Sequence, residues 1–144
     1  MSLKDGTKKM SKSDASDLSR INLTDSKDQI VNKIRKAKTD TYPLPVDEKN
    51  LDQRPEVENL LGIYSSLNKQ SLKDTINDFS GKNFSDFKEK LADLVVEKIL
   101  PISNEINKLK KNNDYIDSIL EKGGEKANKI ASRKILEIKE ILGF

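Results

Sequence analysis

From Phe84 to Leu109, apolar side chains recur almost throughout three or four residues apart: Phe84, Phe87, Leu91, Leu94, Val95, Ile99, Ile102, Ile106 and Leu109. At 3.6 residues per turn this spacing lines one face of a helix. Pro101 falls inside the run and removes one backbone donor, so the pattern predicts a single long helix with a kink near residues 97–101. Nowhere does the chain alternate with the period of two that marks a half-buried strand. Apolar residues supply 34% of the sequence and charged residues 35%. That balance suits helices, because a narrow apolar stripe suffices when each helix packs only on its neighbours.

Start and stop signals place the other helices. Ser26 stands three residues before Gln29, the spacing of a capping box, ahead of Ile30, Val31 and Ile34. This helix is expected to end near Lys38, because Thr39 to Asp52 holds Pro43 and Pro45 and no apolar period. Pro55 suits the first position of a second helix, with Glu56 and Glu58 favourable at its positive end and Val57, Leu60, Leu61, Tyr64 and Leu67 on one face. Ser71 opens a short helix through Phe79 that Gly81 ends. After the long run, Asn113 or Asp114 is expected to cap a short helix stopping at Gly123-Gly124. A last helix from Glu125 to about Leu142 would then turn Ala127, Ile130, Ala131, Ile135, Ile138 and Leu142 inward. The fold class predicted is all-α, a bundle of five or six helices over residues 24–144. Residues 1–23, broken by Gly6 and rich in serine and charge, read as an exposed, mobile loop.

Composition narrows the chemistry. With no Cys, disulfides, thiolate metal sites and cysteine nucleophiles are excluded, and with no His, so are imidazole acid–base catalysis and nearly every zinc site. Lys and Arg total 27 against 24 Asp and Glu, a net charge of +3 that allows nucleic-acid contact without arguing for it; only a clustered distribution of positive charge would. No run of apolar residues approaches the length of a membrane span, and the first thirteen residues lack the apolar centre of a secretory signal, so the expected location is cytoplasmic. Asp40, Asp47 and Glu48 in the connector are irregularly spaced and read as a solvated loop rather than a metal site.

One pentapeptide carries chemistry: Lys9-Met10-Ser11-Lys12-Ser13. Two lysines flanking small hydroxyl residues on a loop can clamp a polyphosphate, the ammonium groups supplying charge and the hydroxyls and backbone N–H groups supplying donors. A moving loop can deliver that charge as it builds on leaving phosphates, which is the differential binding that catalysis requires. From composition alone, an unstructured basic arm accounts for the same residues.

The pentapeptide is the signature loop of class I aminoacyl-tRNA synthetases, and its surroundings resemble the bacterial tryptophanyl-tRNA synthetase family. The resemblance runs through Met1-Ser2-Leu3 and Thr7 to Asp14, then Lys33-Ile34, Ala37 and Thr39-Asp40, then Asn59-Leu60-Leu61 with Ile63-Tyr64. It continues in Gly81-Lys82, Gly123 with Lys126-Ala127 and Ala131, and Gly143-Phe144. It covers essentially all 144 residues. Lys38 departs from it, standing where the family usually has a small apolar residue. The tyrosine-specific sister enzymes share the loop but fit the later matches less well.

This resemblance implies the C-terminal portion of a tryptophan–tRNA ligase. The family's α/β Rossmann-type catalytic half, with its His-x-Gly-His type nucleotide motif and its tryptophan pocket, has no counterpart in a chain without histidine, and these residues alone are expected to be inactive. By position, Lys12 would be the main transition-state cation and Lys9 its partner; Ser11 and Ser13 would hold phosphate oxygens or the closed loop, and Met10 would pack it down. ATP, with Mg, would be a substrate, and no protein-bound metal is implied. The helices would form the family's anticodon-binding domain for the tRNA of tryptophan. Family enzymes are homodimers through the other half, so a monomer is possible here.

On the last helix Lys126, Lys129 and Arg133 share a face that could follow RNA phosphates, with Tyr115 as a stacking partner for an unpaired base. Charge on an outer helix face also serves solvation alone. Tyr64 and Phe84 read as core residues. The alternative function, from a different class, is a free-standing helical adaptor that binds RNA or protein without ATP chemistry.

Overall fold

The computed structural model describes all 144 residues and contains five α-helices and no strand. They are α1 (Lys27–Lys36), α2 (Pro55–Asn68), α3 (Leu72–Phe79), α4 (Phe84–Lys110) and α5 (Asn113–Leu142). The chain divides into two compact units, Met1–Asn104 and Glu105–Phe144, with the boundary inside α4.

The first unit is built as its sequence signals specify. The Ser26–Gln29 capping box forms reciprocally: the Gln29 N–H donates to Ser26 Oγ at 3.3 Å and the Ser26 N–H donates to Gln29 Oε1 at 2.7 Å. Pro55 opens α2, and Ser71 caps α3 through the Asp74 N–H at 3.1 Å. Gly81, with φ +69°, makes the left-handed turn into α4 that a Cβ would penalise. Asn83 caps α4, its Oδ1 accepting from the Asp86 N–H at 2.9 Å. Pro101 lies inside α4 and does not end it.

Ile30, Ile34, Val57, Leu60, Leu61, Ile76, Phe87, Leu91 and Val95 form the buried core of this unit. Tyr64, Phe79 and Phe87 add an aromatic cluster, with the Tyr64–Phe79 and Phe79–Phe87 ring pairs edge-on at 4.9 Å. Tyr64 and Phe84 both pack against this core, as their helical spacing implies. Lys88 of α4 reaches the end of α1, where its Nζ donates to the carbonyls of Ala37 at 2.6 Å and Arg35 at 3.2 Å. A cation there answers the negative end of the helix, and partial burial lowers the Lys88 pKa. The connector between α1 and α2 is pinned by Arg54, whose fork donates to Asp40 at 2.7 and 2.8 Å and to the Pro43 carbonyl at 2.9 Å. The Asp40 carboxyl is held below its ordinary pKa chiefly by that guanidinium.

Two features of the second unit depart from expectation. Gly123 and Gly124 do not separate two helices; α5 runs unbroken through both, and its N-cap is Asn112, whose side chain accepts from the Tyr115 N–H at 3.2 Å. Glycine weakens a helix by about 1 kcal/mol relative to alanine. Two such losses are absorbed here within 30 residues, and the strong helix formers Glu125, Lys126 and Ala127 follow at once. The left-handed C-cap that ends α5 is Gly143, with φ +79°. Nor do Ala127, Ile130, Ala131, Ile135, Ile138 and Leu142 turn inward: no residue of α5 is buried, and Ile130 is 74% exposed. The apolar periodicity describes a face correctly, but burial also requires an opposing surface.

Candidate nucleotide-clamp loop and basic helix face

The loop that carries the pentapeptide is a surface excursion on a buried neck. Leu3 is 5% exposed and packs in the core, its N–H donates to the Ser19 carbonyl at 2.9 Å, and its carbonyl accepts from the Lys38 N–H at 2.8 Å. One hydrogen bond thus joins the two roots of the loop, with Ser19 fully buried beneath it. The expected exposed segment is therefore narrower than residues 1–23: residues 7–15 are exposed, whereas Ser2, Leu3, Gly6 and Ser19 are buried.

Each root has its own anchor. On the inbound side, Asp5 makes an Asx turn, accepting from the Thr7 N–H at 3.1 Å and the Thr7 hydroxyl at 2.6 Å. The two Thr7 bonds, hydroxyl first, hold the Asp5 carboxyl at about 2. The Ser2 N–H closes this turn by donating to the Lys8 carbonyl at 2.9 Å. Gly6 sits so tightly on the first turn of α2 that a Cβ would collide with the Pro55 carbonyl and the Glu56 nitrogen. Lys38, the departure from the family pattern, is accommodated on the surface by an ion pair with Glu56 at 2.7 Å. That contact lowers the Glu56 pKa and raises that of Lys38.

On the outbound side, Lys33 of α1 lies on the same inward face as Ile30 and Ile34, 3% exposed. Its ammonium contacts Asp25 and Asp17 at 2.6 Å each. Asp25 is itself buried and also accepts from the Asn22 N–H at 2.8 Å, while its carbonyl accepts from the Ser103 hydroxyl at 3.2 Å. Asp17 begins the 3₁₀ turn Asp17–Ser19, and its carboxyl is held below the ordinary range, first by Lys33 and then by Asn22. Sequence reasoning used Lys33 only as part of a family pattern. The signal for its role was present, because a lysine on an otherwise apolar helix face demands a buried carboxylate.

Between the roots the pentapeptide is open. Lys9 and Lys12 are exposed and neither has a carboxylate within ion-pair distance, in contrast to Lys8, which pairs with Asp5 at 3.3 Å. The Ser11 and Ser13 hydroxyls lie 3.0 Å apart, and the Ser13 N–H donates to Ser11 Oγ at 3.3 Å, so both serines belong to one tight turn. Met10 leans back over an open, mainly apolar groove of about 880 Å³ that Leu3, Ile63, Leu67 and Ile99 also line. The arrangement offers two unneutralised ammonium groups, two hydroxyls and a backbone turn to an anion. No group of three or more carboxylates gathers anywhere to hold a metal ion.

The basic residues of α5 are placed by helix geometry alone. At 3.6 residues per turn, Tyr115, Lys126, Lys129 and Arg133 fall within about 60° of one another. All four are exposed, Tyr115 to 51%. Arg133 contacts Glu137 at 3.3 Å, whereas Lys126 and Lys129 have no ion pair. No helix of the protein is long and apolar enough to cross a membrane.

Comparison with known proteins supplies the family. The family model for tRNA synthetases class I (W and Y) matches residues 1–100. The chain belongs to that family. The tryptophan–tRNA ligases of Mesorhizobium japonicum and Rhizobium meliloti are 51% and 53% identical over all 144 residues. The corresponding ligase of Rickettsia felis is 48% identical over the same span. In each case the chain spans 41–43% of the relative's length. The crystal structure of tryptophanyl-tRNA synthetase from Mycoplasma pneumoniae matches with a TM-score of 0.61 and 31% identity, over 75% of this chain and 34% of that one. The ligase matches run the full length of this class I synthetase chain, and the family model covers its first 100 residues.

Proposed function

We propose that the chain supplies the ATP-clamping loop and the tRNA-binding helices of a tryptophan–tRNA ligase. The observation that carries this reading is the pair Lys9 and Lys12, unneutralised and exposed on a loop whose two roots are fixed. When the tryptophan carboxylate attacks the α-phosphorus of ATP, an oxygen–phosphorus bond forms, and the bond from that phosphorus to the β-phosphate oxygen breaks. Pyrophosphate departs with the negative charge. Lys12, with Lys9, meets that charge as it develops, and the Ser11 and Ser13 hydroxyls and the turn's N–H groups bind phosphate oxygens. The nucleophile is already an anion, so no general base is required. Met10, over the apolar groove, seats the loop.

The tRNA is the second partner, approached by the basic flank of α5. Lys126, Lys129 and Arg133 would track phosphates, and Tyr115 would stack on an unpaired base. Because the matched relatives are more than twice as long, activation is assigned to an assembly of this chain with the portion of a tryptophan–tRNA ligase outside the match.

The test combines the chain with that portion, expressed separately, and follows tryptophan-dependent pyrophosphate exchange. Lys12→Ala is expected to lower kcat by about 100-fold or more and to leave the KM for tryptophan nearly unchanged, the mark of an interaction made in the transition state. Unaltered exchange in that variant would refute the assignment.

A further inference from the structure

We propose that Lys33 is a positioning residue for the clamp loop, acting through Asp17 and Arg20 to fix the loop's outbound root. The bonds form a continuous chain. Lys33 Nζ contacts Asp17 Oδ2 at 2.6 Å, Arg20 contacts Asp17 Oδ1 at 3.2 Å, and the same guanidinium donates to the Asp14 carbonyl at 3.2 Å. Asp14 directly follows Ser13. Asn22 braces the chain sideways: its amide donates to Asp17 at 3.0 Å and Asp25 at 3.2 Å, and its Oδ1 accepts from Arg20 Nε at 3.3 Å. The Ser16 N–H closes the last step by donating to Asp14 Oδ1 at 2.8 Å.

The division of labour at Lys33 distinguishes positioning from simple stability. A buried lysine needs one carboxylate to offset its desolvation, and Asp25, equally buried, supplies it. The second carboxylate, Asp17, is 54% exposed, so it has far less desolvation of its own to offset than Asp25. Its three partners all lie along the path between α1 and Asp14. An ammonium immobilised by Asp25 is a rigid peg, and Asp17 transmits that rigidity to the loop. Lys12 stands two residues before the end of this path, close enough that loosening the root displaces its ammonium, and displacements of about 1 Å are costly in a transition state.

Lys33→Met leaves the Asp25 carboxylate buried without its cation and is prone to unfold, so the decisive variant is Asp17→Asn. In the chain as it stands, trypsin is expected to cut after Lys9 and Lys12 at least about fivefold faster than in the parent. Cleavage after Lys126 should stay within about twofold of the parent, and the thermal midpoint within about 2 °C. Asp17→Glu, which keeps the charge, should restore the parent pattern. A uniform rise in cleavage at all sites together with a lower midpoint would show a structural role only and overturn the proposal, as would no change at Lys9 and Lys12. The kinetic arm rests on the function proposed above. In the combined assembly, Asp17→Asn should lower the exchange kcat about tenfold with the KM for tryptophan unchanged. If Lys12→Ala abolishes exchange while Asp17→Asn leaves kcat intact, positioning fails and the clamp stands. If Lys12→Ala is silent, the clamp reading fails and the loop-specific cleavage decides the restraint by itself.

Discussion

The two units of this chain use the same helical grammar to opposite ends. In Met1–Asn104, apolar faces from α1, α2, α3 and the first part of α4 close on one another and bury Phe87, Leu91, Ile30 and Leu60 almost completely. In Glu105–Phe144, a helix of 30 residues with an equally regular apolar face contains no buried residue. Periodicity in sequence therefore states which side of a helix is available for burial. Whether burial occurs depends on a second surface, and only the first unit contains enough of them.

The sharpest way to break that contrast is to delete one large side chain from each unit. Phe87→Ala removes a fully buried ring with two aromatic neighbours and is expected to cost about 3–5 kcal/mol in denaturant unfolding. Ile130→Ala, on the open face of α5, should move the same transition by less than about 0.5 kcal/mol. A large loss at Ile130 would mean that α5 finds a partner surface in solution.

A middle-sized effect concerns the opposite flank of α5. If the second unit works through its charged side, Lys126→Ala with Lys129→Ala should weaken tRNA binding about tenfold and reduce the slope of log affinity against log salt by about 2, as measured by filter retention at several salt concentrations. An unchanged slope would reduce that flank to solvation.

The smallest effect separates the units by pH. The folded-state pKa of Asp5 is depressed to about 2, below the ~3.9 of an unfolded aspartate. Its contribution is thus complete above about pH 4 and is lost as the pH falls toward 2. The Thr7 amide resonance should shift with a midpoint near 2, whereas amides of α5 around Ile130 should not follow it. A Thr7 midpoint near 4 would show that the Asx turn does not persist in solution.

Most of the first unit was legible because its signals are local. Ser26 with Gln29, Pro55, Ser71 and Gly81 each satisfy or interrupt backbone hydrogen bonding within four residues, and all act where their spacing places them. The exposure of the pentapeptide was legible for the same reason. What escaped notice was non-local. Leu3 is one leucine among polar residues, and nothing in its neighbourhood announces the bond to Ser19 that closes the loop. Lys33 meets Asp17 across sixteen positions, a pairing that only the fold specifies. Gly123-Gly124 misled in the other direction, since a double glycine marks a helix end only when the backbone adopts a left-handed turn, and that conformation occurs at Gly143 instead.

The seat of Gly6 against Pro55 and Glu56 has a mechanical corollary. A span tethered there at one end, and at Asp14 on the other, has seven residues of slack between its moorings. Fully taut, about 3.5 Å per residue allows the crest to swing no farther than about 14 Å from either post. Any triphosphate these lysines serve must be brought within that radius plus the length of one lysine side chain by something else, so the strip can tighten around a cargo already delivered but cannot fetch it.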